Sequence, residues 1–130
     1  MVEIVGVSHL GVRVKQAERS LAFYRLLGFE LVASGEHQTV LFLKNPAGVE
    51  LNLIVNAATD VNVLMDVPEK HPGWTHVALA VASIERTVAE LEALGVPISE
   101  GPVQLGKGMS LFVRDPDRNV IELRAETAGV

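Results

Sequence analysis

The chain has no cysteine, no excess of basic residues and no long hydrophobic run, and each absence excludes a class of protein. Without cysteine it can form no disulfide, thiolate metal site or cysteine nucleophile. Lys and Arg number 11 against 16 Asp and Glu, a net charge of −5, so we expect neither a nucleic-acid nor an anionic membrane partner. No apolar run approaches the ~20 residues of a membrane helix, and the N-terminus reads as a strand rather than a signal peptide. We therefore expect a cytoplasmic location.

Apolar residues, in contrast, are abundant. Hydrophobic types make up 48% of the 130 residues and charged types 21%, which is enough apolar material for a core. A chain of this length suits one domain, which we expect to span residues 1–130.

The sequence contains an internal repeat. Residues 8–29 align without a gap on residues 75–96, so that His9 falls on His76. Further along, residues 44–46 align on 114–116. If two small insertions are allowed, residues 49–51 align on 121–123, which places Glu50 on Glu122. We therefore predict two modules, about residues 3–56 and 72–126, joined by a linker over residues 57–71.

Each module has the pattern βαβββ, which predicts an α+β fold. Apolar stretches typical of strands are combined with one amphipathic helix per module. Ser83 is the predicted N-cap of the second helix, whereas the first helix begins near Gln16 with a weaker signal. Gly28 and Gly95 are the predicted C-terminal caps. The predicted strands are Val7–Val14, Glu30–Ser34, Thr39–Lys44, Gly48–Val55, Thr75–Val81, Ile98–Gly101, Met109–Val113 and Val120–Arg124.

Four polar residues stand out in these apolar strands: His9, Glu50, His76 and Glu122. A single His in a strand is more often a hydrogen-bonded core residue, and a single Glu more often faces solvent. Four ligand-type residues at repeated positions favour a metal site instead. Two imidazoles and two carboxylates without sulfur suit a divalent cation such as Zn, Ni, Co, Mn or Fe(II), with positions open for water or substrate.

Strand alternation places two arginines on the same faces as these residues. His9 shares a face with Gly11 and Arg13, and Glu122 shares one with Arg124, because residues two apart point to the same side of a strand. Both guanidinium groups are therefore candidates for binding an anionic group of a substrate. The alternative is that each arginine pairs with a nearby glutamate or is a surface charge at a strand end.

The residues resemble the vicinal oxygen chelate superfamily, which includes glyoxalases, bleomycin resistance proteins and ring-cleaving dioxygenases. The resemblance runs from Val7 to Arg124. It implies paired βαβββ modules whose curved sheets form a cup around one metal, a small-molecule substrate, no organic cofactor and a homodimer. Whether one chain or two supply the metal ligands stays open. The matching segments are SHLGVRV, AFYRLLGFEL, VELNLI, THVALAV and DPDRNVIEL.

Within the superfamily the sequence is most similar to glyoxalase I. That resemblance implies a lyase or isomerase whose four metal ligands are His9, Glu50, His76 and Glu122, and whose substrate reacts through an enediolate. Glu50 and Glu122 are then the candidate catalytic bases, and which of them acts as the base stays open. Two motifs of glyoxalase I are missing: the Asn-Trp-Gly stretch after the first glutamate, and the GGTT-like segment, which is Gly106–Ser110 here. The substrate, and the use of glutathione, therefore stay open.

Two alternative functions belong to other classes. An Fe(II) ring-cleaving dioxygenase of this superfamily uses two His and one Glu, so it would have no need of Glu50 as a ligand. A small-molecule or antibiotic-binding resistance protein would bind its ligand stoichiometrically without turnover and would need none of the four residues.

Overall fold

The computed structural model describes residues 1–35, 37 and 39–127. Its contacts divide the chain into two compact units, one comprising Met1–Asp60 and a second that begins at Val61. The boundary falls inside the predicted linker over residues 57–71. No helix in the described part of the chain is long and apolar enough to cross a membrane.

Unit 1 has the order βαβββ. Its elements are β1 (Leu10–Val14), α1 (Ala17–Leu26), β2 (Glu30–Ser34), β3 (Val40–Lys44) and β4 (Glu50–Val55). The strands form one sheet in the order β1-β4-β3-β2. Strand β1 runs parallel to β4, and the other neighbours are antiparallel.

Unit 2 repeats this arrangement. Its elements are β5 (His76–Ala80), α2 (Ile84–Leu94), β6 (Glu100–Leu105), β7 (Gly108–Arg114) and β8 (Val120–Glu126). The sheet order is β5-β8-β7-β6, with β5 parallel to β8. The predicted α+β class and the two βαβββ modules are therefore confirmed.

The helix ends follow the local sequence. The Ser83 hydroxyl accepts a hydrogen bond from the Arg86 N–H at 3.2 Å, and Gly95 takes the left-handed conformation (φ 72°) that ends α2. Gln16 precedes α1 without a side-chain cap, as its weak start signal predicts. Helix α1 ends at Leu26 with Leu27 as its C-cap, and Gly28, the next residue, has the predicted positive φ (90°) and donates its N–H to the Arg25 carbonyl at 3.0 Å.

One face of each sheet is apolar and buried. In unit 1 the buried residues form adjacent pairs, Leu41 beside Leu53 and Leu43 beside Leu51. The matching pairs in unit 2 are Leu111 beside Leu123 and Val113 beside Ile121. Because strand side chains alternate between faces, the intervening residues of β4 and β8 point to the opposite side. The candidate polar residues of these strands lie on that opposite face.

Strands β1 and β6 differ most from their predicted bounds. Strand β1 starts at Leu10 rather than Val7, so His9 directly precedes the strand. Strand β6 spans Glu100–Leu105 instead of Ile98–Gly101, and its pairing with β7 shifts register between Glu100 and Val103. Pro102, inside that interval, has no N–H to donate to a ladder, which fits an irregularity on this edge strand.

Candidate metal centre

The closest pair of predicted ligands lies in unit 2. Nε2 of His76, at the start of β5, is 3.0 Å from Oε1 of Glu122 in β8. Glu122 is 7% exposed, whereas the His76 side chain is 36% exposed. The carboxylate is thus buried, and the imidazole lies between it and solvent. This contact is a hydrogen bond, and its length is also that between two ligands about 90° apart on a cation with bonds near 2.1 Å.

A hydroxyl and an aromatic ring orient the His76 imidazole. Thr75 Oγ1 is 2.9 Å from Nδ1, and the Phe112 ring lies edge-on to the imidazole with centroids 5.8 Å apart. Because Nδ1 has a partner, Nε2 is the nitrogen directed to Glu122. Such a partner on the second ring nitrogen is usual for metal-binding histidines.

The second carboxylate oxygen of Glu122 is held from behind. Ser110 Oγ, on the neighbouring strand β7, donates a hydrogen bond of 2.6 Å to Oε2, and Ser110 is fully buried. Arg124 Nη1 in turn donates to Ser110 Oγ at 3.2 Å. The Nε of Arg124 donates to Glu126 Oε1 at 2.7 Å. Arg124 therefore pairs with nearby carboxylates, which is the alternative predicted for it. Its binding of substrate stays a prediction.

In unit 1 the predicted site residues lie in more exposed positions. His9 is exposed, and its Nδ1 is 3.0 Å from Ser8 Oγ, the same contact that Thr75 makes with His76. Glu50 is exposed at the first position of β4. Arg13 donates through Nε to Asn56 Oδ1 at 2.9 Å.

The sheet register overturns the predicted equivalence of Glu50 and Glu122. In unit 2, Glu122 lies between Ala78 of β5 and Phe112 of β7. In unit 1, the residue between Gly11 of β1 and Phe42 of β3 is Asn52. Glu50 instead pairs with Lys44, at the position where Val120 pairs with Arg114. Asn52, not Glu50, is the structural counterpart of Glu122.

The turns explain why the predicted insertion is wrong. The β3–β4 turn is closed by the Asn45 N–H donating to the Val49 carbonyl at 3.1 Å, and the β7–β8 turn by Asp115 donating to Asn119 at 3.0 Å. Both turns have five residues between their strands, so nothing shifts one strand against the other. The segment NPAGVELNL therefore matches DPDRNVIEL without a gap, which places Asn52 on Glu122. A search for the longest ungapped alignment finds this pairing from the sequence.

Among the described residues, neither unit by itself brings three His, Asp or Glu side chains together into a group able to hold a cation. Unit 2 offers two such donors, His76 and Glu122. Their nitrogen and oxygen chemistry fits Zn, Ni, Co, Mn or Fe(II). These two donors are therefore of the right chemical type for the predicted metal, but unit 2 by itself supplies too few of them.

A second ionic cluster in unit 2 fixes the segment before β5. Arg118 donates to both oxygens of Asp66, with its Nε 2.6 Å from Oδ2, and Arg114 Nη1 donates to Oδ1 at 3.1 Å. The hydrogen bond from Arg118 lowers the pKa of Asp66; partial burial opposes this, and the charge of Arg114 reinforces it. The same contact raises the pKa of Arg118. No sequence pattern indicates this cluster, because Asp66 is distant along the chain from Arg114 and Arg118.

The chain matches known proteins over nearly its whole length. The family model described as the glyoxalase/bleomycin resistance protein/dioxygenase superfamily matches residues 6–123. A lactoylglutathione lyase of Haemophilus influenzae is 30% identical over 126 residues, covering 89% of each chain. A solved virulence protein of Salmonella typhimurium is 27% identical with a TM-score of 0.71, covering 96% of this chain and 99% of that one. A glyoxalase/dioxygenase structure from Nostoc punctiforme has a TM-score of 0.76 at 21% identity, covering 94% and 91%.

Proposed function

The chain belongs to the glyoxalase/bleomycin resistance protein/dioxygenase superfamily, and we propose that it is a divalent-metal-dependent lyase or isomerase of a small oxygenated substrate. The His76–Glu122 pair is the observation that carries the proposal, because it offers a nitrogen and an oxygen donor 3.0 Å apart. The similarity to a lactoylglutathione lyase supports the reaction class.

The proposed ligands are His76 and Glu122 of unit 2 together with His9. His9 is proposed because it repeats His76 in sequence and has the same hydroxyl contact at Nδ1. Asn52 occupies the position that matches Glu122, so any fourth protein ligand would be a neutral amide. Glu50 lies two residues earlier on the same face, about 7 Å along the strand, and is proposed as a base rather than a ligand. The proposal holds whether the ligands come from one chain or from two copies in a homodimer.

When bound, such a cation polarises neighbouring oxygens of the substrate and lowers the cost of removing a proton from the carbon beside them. The protein must then supply a base that takes the proton and returns it. Glu50 and Glu122 are the two candidates. In Glu122, Oε2 accepts the Ser110 hydrogen bond and Oε1 contacts His76 Nε2, so Oε1 is the oxygen that would take the proton if Glu122 is the base. Arg13, exposed on the strand that follows His9, is the proposed contact for an anionic group of the substrate.

Asn52 favours a second candidate function. A set of two His and one Glu, without a second carboxylate, is the arrangement that the resemblance associates with Fe(II) ring-cleaving dioxygenases. Such an enzyme would consume O₂ with catechols and require Fe(II). A resistance protein that only sequesters a small molecule would bind without turnover, and loss of the proposed ligands would leave that binding intact.

Turnover assays with and without chelator separate these functions. Wild type is tested for conversion of hydroxy-ketones and hemithioacetals, and for O₂ uptake with catechols, after reconstitution with each metal in turn. Glu122→Gln should abolish turnover, whereas Glu90→Gln, an exposed helix residue whose side chain is 66% accessible, should leave it unchanged. Turnover that survives both chelation and Glu122→Gln would reject a metal-dependent reaction at this site.

A further inference from the structure

A chain of hydrogen bonds reaches Glu122 from the side away from His76. It runs from the Arg124 guanidinium to Ser110 Oγ at 3.2 Å, and from Ser110 to Glu122 Oε2 at 2.6 Å. Arg124 also lies 3.9 Å from the same carboxylate oxygen. All three side chains are largely shielded, with Ser110 fully buried, Glu122 7% exposed and the Arg124 side chain 23% exposed. We call this chain the Arg124–Ser110 relay.

The relay is absent from the corresponding place in unit 1. Ser110 and Arg124 are adjacent in the β7–β8 ladder, and the adjacent pair at the matching position of the β3–β4 ladder is Val40 and Ile54. Two residues before Ile54 on β4, Asn52 takes the place that Glu122 holds two residues before Arg124 on β8. The two units thus differ together at three positions. Where the carboxylate is present the relay accompanies it, and where a neutral amide replaces the carboxylate the relay residues are aliphatic.

The backbone next to the relay is shaped for the guanidinium. A Cβ atom added to Gly108 would lie 2.9 Å from both Cζ and Nη2 of Arg124, and 2.8 Å from the Ala125 carbonyl oxygen. A side chain at this position would push the guanidinium away. Glycine at the first residue of β7 therefore lets Arg124 lie against the strand, within reach of Ser110.

From these observations we propose that Ser110 and Arg124 are positioning residues for Glu122, which hold Oε2 so that Oε1 alone is presented beside His76 Nε2. This rests on the proposed function, in which Glu122 binds a metal ion. The serine hydroxyl has a single proton and gives it to Glu122, while its oxygen accepts from the arginine cation. Because the cation polarises the hydroxyl, the hydroxyl donates more strongly to the carboxylate. The relay therefore makes Glu122 a one-oxygen ligand in a fixed orientation.

The relay also belongs to the unit that supplies the proposed carboxylate ligand. Ser110 and Arg124 accompany Glu122, whereas the matching positions of unit 1 hold Val40 and Ile54. A carboxylate placed at Asn52 would have no such support. The two modules of the repeat have thus diverged so that one presents a charged ligand and the other a neutral side chain.

Binding of Co²⁺ to the full chain tests the relay, with affinity measured by visible absorption and by competition with a chelator. Ser110→Ala should weaken binding by about 10- to 100-fold, the usual effect of losing a hydrogen bond behind a metal ligand. Ser110→Thr, which keeps the hydroxyl, should restore most of the affinity. Val40→Ala, at the matching position of unit 1, is the control and should leave the affinity unchanged. Melting temperatures of the metal-free variants separate lost positioning from lost folding.

Wild-type affinity in Ser110→Ala, or an equal loss in Val40→Ala, would overturn the proposal. If Ser110→Ala does not fold, Arg124→Gln gives the same measurement with the serine intact, and unchanged affinity in that variant also overturns it. If wild type itself binds no Co²⁺, the proposed function fails instead. The relay is then judged from the metal-free protein, where the melting shifts of Ser110→Ala and Arg124→Gln should be non-additive; additive shifts would show that the relay does not act as a unit.

Discussion

Asp66→Asn removes the carboxylate charge that holds the segment before β5 against the β7–β8 turn. In the wild type this carboxylate accepts hydrogen bonds from Arg114 and Arg118. The Asp66 and Arg114 side chains are each 21% exposed, while the Arg118 side chain is 56% exposed. The substitution keeps the side-chain volume, but it leaves one accepting oxygen instead of two for the three hydrogen bonds from these arginines and removes the negative charge that strengthens them.

The expected loss of stability follows from that partial exposure. An exposed ion pair contributes about 0.2–1 kcal/mol, and a shielded charge-assisted hydrogen bond about 1.5–3 kcal/mol. The two contacts share one carboxylate at the surface, so they do not add fully. We therefore expect Asp66→Asn to lower the free energy of unfolding by about 1 kcal/mol, which for a chain of this size lowers the melting temperature by about 4 °C.

The difference in unfolding free energy between wild type and Asp66→Asn should depend on pH in one direction. The pKa of Asp66 is lowered in the folded state, so its stabilisation is full above the pKa of an unfolded aspartate and is lost as pH falls through the folded pKa. Urea unfolding should show a constant gap between wild type and variant at neutral pH, and a shrinking gap below about pH 4. Asp60→Asn is the control, because the Asp60 side chain is 68% exposed beside Lys15. If wild type and Asp66→Asn are equally stable at pH 7, or if Asp60→Asn loses as much stability, the Asp66 contacts do not stabilise the fold as argued.

Three further substitutions test a helix cap, the buried core and the space beside Arg124. Ser83→Ala should lower the free energy of unfolding, measured by urea titration, by about 1 kcal/mol, because it removes the side-chain cap of α2. Gln16→Ala is the control and should change that free energy little, because Gln16 makes no side-chain cap bond to α1. Leu53→Ala, at a fully buried position, should cost about 2–5 kcal/mol in urea unfolding. Gly108→Ala should displace the Arg124 guanidinium and lower both the melting temperature and the affinity for Co²⁺. A Gly108→Ala protein with wild-type affinity would contradict the shaping role of that glycine.

The architecture was predictable from the sequence because duplication doubles every signal. A strand or helix that is ambiguous in one copy is supported by its counterpart, and the caps at Ser83 and Gly95 added local evidence for α2. The pairing of His9 with His76 likewise follows from an alignment without gaps. Edge strand β6 was placed less well, since Gly and Pro dominate its first half and weaken the strand pattern.

The pairing of Glu50 with Glu122 was wrong because it relied on the dipeptide Glu-Leu, which occurs in both β4 and β8. A shift of two residues keeps every side chain on its predicted face, so alternation alone does not detect it. The ladder register and the equal turns distinguish the two alignments, and in the sequence the alignment without a gap does the same. Ser110 was missed for a different reason. A serine in a strand is not by itself a signal, and its role depends on neighbours from β8.

Metal content of the purified protein, measured by mass spectrometry on a sample without an affinity tag, tests whether His9 and His76 help to bind a divalent cation. The wild type should hold close to one divalent cation per proposed site, and the His9→Ala, His76→Ala double variant should hold none. Nickel, zinc, cobalt or manganese would favour the lyase or isomerase, and iron the dioxygenase. Absence of metal from wild type even after reconstitution, or the same metal content in the double variant, would contradict the account.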